Sequence, residues 1–376
     1  MMGTNALQRR ARDARSWLHD ACFPLWADQG VVAGGFCEAL DLQHVAISSN
    51  IARVRVQARQ TFMFSAAKHL GWSPKKADEL IELGLRTLGT NCLNKAGLFT
   101  RRIDLQTGQP VSDEADLYDT AFALLAMASA RQAGFETGDL MDQTTLALET
   151  QFADPSGGYA ETLPRSPYRL QNPHMHLFES CLEAFEVTND KVHLQRATAL
   201  RSLCVDRFID PETGILGEAF ELSDWRVADG DKGEAVEPGH QFEWVWLFEK
   251  YARLSGTGLP DQAKRLYEFA CSTVSETGLV VQAVRRDGSA YDSSARTWPQ
   301  TEALKAHLTM HRAGDAGAAA RAVQSYDLLM DTYLTDEGGW KDHFSADGEL
   351  VADMMPASTG YHVVVAFLDL IETFGA

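Results

Sequence analysis

The sequence predicts an all-α fold, an (α/α)6 barrel of six helical hairpins, with short β-hairpins on the side that carries the polar residues. Three observations lead there. A Gly followed within two residues by a large apolar residue recurs six times at nearly even spacing. A long, largely apolar helical segment follows each recurrence, and a second, amphipathic segment follows five of the six. The missing sixth partner is supplied by a helix at the other end of the chain, which would close a ring.

In chain order, the first element is that N-terminal helix, residues 5–20. ALQRRARDARSWLHDACF is Arg-rich, but it contains Asp and no apolar signal core, so it reads as an amphipathic surface helix and not as a targeting peptide. The repeats begin with GGF at Gly34, then GLF at Gly97, GGY at Gly157, GIL at Gly214, GLV at Gly278 and GGW at Gly338. Their intervals are 63, 60, 57, 64 and 60 residues. GLFTRRIDLQTGQP, GLVVQAVRRDGSAYD and GGWKDHFSADGELV read as hairpins, because LQTGQ, RRDGS and SADGE are turn signals.

The inner helices are expected in IARVRVQARQTFMFSAAKHLG, ADLYDTAFALLAMASARQ, NPHMHLFESCLEAFEVT, PGHQFEWVWLFEKYARL, WPQTEALKAHLTMHRAG and ASTGYHVVVAFLDLIETF. Each is apolar around more than half its circumference, as a helix buried on most sides must be. The outer, amphipathic partners are SPKKADELIELGLRTLG, LMDQTTLALETQFA, KVHLQRATALRSLCVDRF, PDQAKRLYEFACSTVS and GAAARAVQSYDLLMDTYL. No linker or low-complexity run interrupts the pattern, so residues 1–376 are expected to form one domain.

Composition narrows the function. The 376 residues are 45% hydrophobic and 23% charged, with a formal net charge of −18. That balance speaks against a nucleic-acid partner, which needs clustered Lys and Arg. No apolar run approaches the roughly 18 residues of a membrane span. Six scattered cysteines without a C-x-x-C fit reduced thiols and a cytoplasmic protein.

A helix buried along its length needs a reason for every polar residue. Here they gather in the first turns: Tyr118 and Asp119; Asn172, His174, His176 and Glu179; His240 and Glu243; Trp298, Gln300 and Glu302; Tyr361 and His362. In the first unit, Arg55 and Arg59 lie about two turns in. Arg59, Asp119, His176, His240, Trp298 and His362 fall 19 to 26 residues after the Gly of their unit. Equivalent offsets on parallel inner helices end at one mouth, so these side chains should share a cavity.

A histidine in an apolar helix is most often a packing residue. Three at matching repeat positions favour a common site. Imidazole titrates near neutrality, so two of them flanking a carbon could remove a proton and return one. Arg59 could hold the negative oxygen of an enediolate, or it could pair with Asp119. Glu243 could orient His240 or act directly. Trp298, Trp244 and Phe36 offer flat faces to a sugar ring, although Trp244 and Trp246, two residues apart, cannot both face the cavity.

Other chemistries compete. H-x-x-E occurs at His176/Glu179 and His240/Glu243, but the helical di-iron pattern runs Glu-x-x-His, and no H-E-x-x-H is present. No metal and no cofactor is therefore expected. A phosphate-binding loop and a G-x-S-x-G elbow are absent. A glycoside hydrolase using Asp119 and Glu243 as its carboxylate pair and a non-catalytic sugar-binding protein both remain open.

NPHMHLFESCLEAF, PGHQFEWVWLF, WPQTEAL and the late Tyr361–His362 pair resemble the N-acylglucosamine 2-epimerase superfamily, which includes cellobiose 2-epimerases and mannose-type aldose–ketose isomerases. VQARQTFMFSAA and YDTAFALLA are similar to its first and second inner helices, and the likeness runs in order along essentially the whole chain. The resemblance implies an (α/α)6 barrel acting on an open-chain sugar without a metal. It implies that His362 and His240 are the acid/base pair at C2, with His240 also opening the ring. Glu243 would tune His240, and Arg59 would bind the carbonyl and enediolate oxygens. His176, after Asn172, would contact sugar hydroxyls, and Trp298 would form the sugar platform. Tyr118 and Asp119 complete the expected substrate-binding set.

No long insertion embraces a second sugar ring, which favours a monosaccharide. The reading is a mannose–fructose type isomerase, with N-acylglucosamine 2-epimerisation as the alternative. The expected partners are a small sugar and at most a second copy of the chain.

Overall fold

The apolar segments form helices, in which a segment buried on most sides satisfies its own backbone polar groups internally. The computed structural model describes residues 2–375. Its helices are α1 (Met2–Trp17), α2 (Phe23–Gln29), α3 (Val54–His69), α4 (Pro74–Asn91), α5 (Leu117–Gln132), α6 (Gly138–Ala147), α7 (Gln171–Thr188), α8 (Lys191–Leu203), α9 (Asp231–Glu234), α10 (Pro238–Ser255), α11 (Asp261–Ser272), α12 (Thr297–Arg312), α13 (Ala318–Leu328) and α14 (Thr359–Phe374).

The inner ring is α3, α5, α7, α10, α12 and α14. Each packs on the next, and α14 returns to α3. In α5 every residue from Asp119 to Ala130 is buried. The outer helices bury one stripe each, such as Ala263, Leu266, Tyr267 and Ala270 of α11. The helix α1 packs on α14 and α13, as ring closure requires. The barrel is the (α/α)6 architecture that the repeat pointed to.

All six repeat glycines are left-handed, with φ of 89° at Gly34, 76° at Gly97, 96° at Gly157, 77° at Gly214, 89° at Gly278 and 93° at Gly338. A side chain at this φ is strained, which is the physical reason the glycine repeats. Two residues later, the chain is clamped by an inner helix. Gln57 bonds the N–H and C=O of Phe36, both at 2.8 Å. Gln241 does the same for Leu216 at 3.1 and 3.0 Å, and Gln300 for Val280 at 3.0 and 2.8 Å. His174 Nε2 accepts from the N–H of Tyr159 at 3.0 Å. His174 and Gln300, grouped by sequence with the site residues, thus hold turns.

Two of the expected hairpins form within their units, 102–104 with 109–110 and 283–285 with 290–292, and in the third Phe344 makes a single bridge to Leu350. A second set of pairings lies between units and was not anticipated. The residues just before each inner helix pair, antiparallel, with a strand from the next unit: 51–53 with 102–104, 115–116 with 162–163, 168–170 with 219–221, 235–236 with 283–285, 295–296 with 343–344, and 354–356 with 39–41. This circle of short strands pins the N-termini of the inner helices around one mouth.

Gly338 tests the closure. A Cβ there would lie 2.4 Å from the backbone of Ala21, where the last unit meets the first. We expect Gly338→Ala to lower the free energy of unfolding by about 1–3 kcal/mol in urea titrations. Gly288→Ala, at φ 83° with nothing within 4 Å, should cost less.

Candidate active site

The pinned N-termini surround a cavity of about 290 Å³. From α3 and α5 come Arg55, Arg59 and Tyr118; from α7, Asn172 and His176; from α10, His240 and Glu243; from α12, Trp298; from α14, Thr359 and His362. Arg53, Glu237, Gln282, Arg296 and Ser358 complete the wall from the segments between helices.

The two histidines are held in opposite protonation states. His240 points Nδ1 at Glu218 Oε2, 2.9 Å away. Burial works against its charge, but Glu218 and Glu237 outweigh burial and push its pKa up to about 10. At neutral pH it is an imidazolium with Nε2–H free to donate. His362 donates Nδ1–H to Glu302 Oε1 at 2.9 Å. Burial, then Arg59, Lys305 and His176, hold its pKa well below the usual histidine value. It is a neutral imidazole with an Nε2 lone pair, a base. Environments that separate two titratable groups in this way define an acid and a base.

Trp298 neighbours both, its ring centroid 5.0 Å from that of His240 and 5.7 Å from that of His362. Gly239 makes room for it, since a Cβ there would come within 2.5 Å of the indole. Arg59 donates to the Ser358 carbonyl at 3.1 Å and to the Tyr118 hydroxyl at 2.9 Å, and lies 4.1 Å over Phe122. Alone among the cavity's arginines it is in no ion pair: Arg53 pairs with Glu38, Arg55 with Asp119, and Arg296 with Asp342. His176 gives Nδ1 to Glu179 at 3.1 Å, and burial lowers its pKa to about 4, so it is neutral.

Of the nine residues singled out by sequence, eight line this cavity: His240, His362, Arg59, Glu243, His176, Asn172, Trp298 and Tyr118. Asp119 does not. It is fully buried, and it ties α3 to α5 through the Arg55 side chain at 2.7 Å and the Arg55 N–H at 2.6 Å. It therefore pairs with Arg55 and leaves Arg59 free of a carboxylate. Glu243, three residues from His240, is not its hydrogen-bond partner; Glu218, from the loop after α8, takes that place. Phe36 is packed against Phe64, and Trp244 donates to Gln171 in the core, so neither offers a face to the cavity.

Glu218 and Glu237 were missed. The rule that inner-helix first turns carry the site does not reach them, because they flank the short strands, Glu218 just before 219–221 and Glu237 just after 235–236. Their signal was proximity in sequence to the circle of strands, which was itself unrecognised.

Three sets of side chains among the described residues bring ligand-type atoms within 4.8 Å of one another: His176, Glu179 and Glu243; Glu218, Glu237 and His240; Glu243, Glu302 and His362. In each set the histidine Nδ1 is already bonded to a carboxylate. In the third, the Lys305 ammonium stands 2.6 Å from Glu302, where a cation would otherwise bring its charge.

Together, the barrel and a mouth lined by an imidazolium, an imidazole and an unpaired guanidinium define a class of α/α-barrel protein equipped to move protons on a polar ligand. The sequence profile of the N-acylglucosamine 2-epimerase (GlcNAc 2-epimerase) family matches residues 34–366, and the chain belongs to that family. It is 35% identical over 382 residues to a mannose-6-phosphate isomerase of Rhizobium meliloti (strain 1021), covering 96% of each chain. Among solved structures, a D-mannose isomerase superposes with a TM-score of 0.88 at 20% identity, over 96% of this chain and 97% of that one. The cellobiose 2-epimerase from Spirochaeta thermophila DSM 6192 superposes with a TM-score of 0.87 at 22% identity, over 98% and 97%. These two likenesses establish the fold.

The charge on His240 has a stated cause, so it can be removed. Glu218→Gln keeps the hydrogen bond and takes away the carboxylate's charge. The pKa of His240, followed by ¹⁵N NMR of the imidazole, should fall from its raised value in that variant. An unchanged titration would show that Glu218 is not what holds the proton.

Proposed function

We propose that the protein is a cofactor-independent aldose–ketose isomerase of a neutral hexose, of the mannose–fructose type. The observation that carries this reading is a pair of histidines beside Trp298, His240 bonded to Glu218 and His362 to the Glu302 that also faces Lys305, with Arg59 in the same cavity.

In this reading the open-chain aldose lies against Trp298 with its carbonyl oxygen toward Arg59. The neutral His362 Nε2 takes the proton from C2, and the C–H electron pair forms the C1–C2 double bond of a cis-enediolate. The guanidinium of Arg59 meets the negative charge that gathers on oxygen, in a site where dipoles and charges are already placed. His362, its proton exchanged with solvent, then delivers a proton to C1, and the C2 hydroxyl becomes the ketone as its proton passes to the C1 oxygen. His240 Nε2–H supplies a proton to the ring oxygen when the pyranose opens. His176 and Asn172 bind hydroxyls along the chain.

The isomerase names carried by its relatives support this direction. The same charge states would also serve epimerisation, in which the proton comes back to C2 from the other face. The family description and the cellobiose 2-epimerase likeness keep that as the second reading.

A neutral substrate suits the charge of the wall. Arg53, Arg55 and Arg296 each have a carboxylate partner, and Glu237 adds a further acidic group. A phosphate dianion would find Arg59 as the one arginine of this wall without a carboxylate partner, and the charge of His240 is already met by Glu218.

Incubation with mannose in D2O, followed by NMR, tests the proposal. Fructose labelled at C1 is expected, and turnover of mannose should exceed that of mannose 6-phosphate. Glucose labelled at C2 would instead establish the epimerase. His362→Ala should lose roughly 10²–10⁴-fold in kcat while its circular dichroism stays native. Activity needs His362 neutral and His240 protonated. It should therefore fall at acid pH as His362 gains a proton, and fall again as the pH passes the His240 pKa of about 10.

A further inference from the structure

Behind the cavity wall, between the three histidines, three carboxylates and one ammonium are shut away from water. Glu179 is 2% exposed, and Glu243, Glu302 and Lys305 are each 0% exposed. Seven titratable groups meet here: His176 and Glu179 from α7, His240 and Glu243 from α10, Glu302 and Lys305 from α12, and His362 from α14, with the Tyr361 hydroxyl beside them. His176 and His362 are neutral, and the charge of His240 is already met by Glu218, so among the described residues the ammonium of Lys305 is the one cation left to balance these three carboxyls. Full ionisation of all three carboxyls would leave two negative charges without a counter-charge, in a place where an uncompensated charge is very costly.

Hydrogen bonds show which carboxyls are supplied with donors. Glu179 accepts from Tyr361 Oη and from His176 Nδ1. Glu302 accepts from His362 Nδ1 at 2.9 Å on one oxygen and faces Lys305 Nζ at 2.6 Å on the other. Glu243 has nothing: among the described residues neither of its oxygens has a hydrogen-bond partner. His176 Nδ1 is 3.9 Å away and already committed to Glu179.

We propose that Glu243 is a neutral carboxylic acid at physiological pH, and that its neutrality allows His362 to remain a base while His240 carries a proton. A carboxylate in this place would act on His362 as Glu218 acts on His240. Oxygens of Glu243 and Glu302 and a ring nitrogen of His362 lie within 4.8 Å of one another. A second negative charge at that range would raise the proton affinity of the imidazole and blunt the difference between the two histidines. Burial first, and then the charge of Glu302, drive the Glu243 pKa well above the carboxylate range, with Lys305 opposing. Glu243 is thus a positioning residue that acts through the histidines. The role differs from the one its sequence position suggested, a carboxylate that tunes His240 by its charge.

Infrared difference spectroscopy on the full-length protein tests the protonation directly. The wild type should show the carbonyl band of a protonated carboxyl group, shifted in D2O, that is missing from Glu243→Gln and retained in Glu302→Gln. The consequence for turnover rests on the isomerase reading above. Glu243→Gln, which preserves shape and neutrality, should lose less than the roughly 10²-fold that marks removal of a positioned acid or base, and Glu302→Gln should lose at least that much. Survival of the band in Glu243→Gln, or a loss of 10²-fold or more in that variant with its fold intact, would overturn the proposal. Failure of the wild type to turn over mannose would sink the isomerase reading and leave the infrared result to decide the protonation.

Discussion

Everything in this molecule depends on pinning six helix N-termini in a circle. The inner helices are too apolar to present a face to water, so they pack as a ring and leave only their ends exposed. The inter-unit strand pairs fix those ends at one level, with the last pair, 354–356 on 39–41, closing the circle. Each helix N-terminus carries unpaired N–H groups and a partial positive charge. Six of them facing one cavity create a field that favours an anion at its centre. An enediolate is such an anion, and the field is set up before any substrate arrives, at no reorganisation cost during the reaction.

The repeat was legible because its cause is local. A left-handed turn needs Gly, so Gly34, Gly97, Gly157, Gly214, Gly278 and Gly338 announce themselves. The apolar and amphipathic helices follow from periodicity alone. Histidines at matching offsets then had to reach the same mouth, and His176, His240 and His362 do so. What stayed hidden is whatever depends on which neighbour a side chain turns to. Gln57, Gln241 and Gln300 look like Gln anywhere until the turns they clamp are seen. Asp119 sits at the right offset for the cavity, yet Arg55, one turn before Arg59, draws it aside. Glu218 is 22 residues from the histidine it charges. No periodicity encodes that pairing, because it arises where one unit's loop crosses the next unit's helix.

The same ring of N-termini that favours an anion works against a charged histidine. His240 lies in the first turn of α10, where the helix dipole opposes an imidazolium, and it is buried as well. Holding a proton there requires more negative charge than a helix alone can offer. Glu218, from the loop after α8, supplies most of it, and Glu237, the residue just before α10, adds to it. His362 occupies the corresponding first turn of α14, where Ser358 and Thr359 take the places nearest the helix start. Its one carboxylate, Glu302, is shared with Lys305, so little net negative charge reaches the ring. Two histidines at like positions in a sixfold repeat therefore differ in charge because only one of them has loop carboxylates to itself. The helices place the pair, and the segments between units decide which member is acid and which is base. A change confined to those loops could thus redirect the chemistry of the barrel without disturbing the ring that supports it.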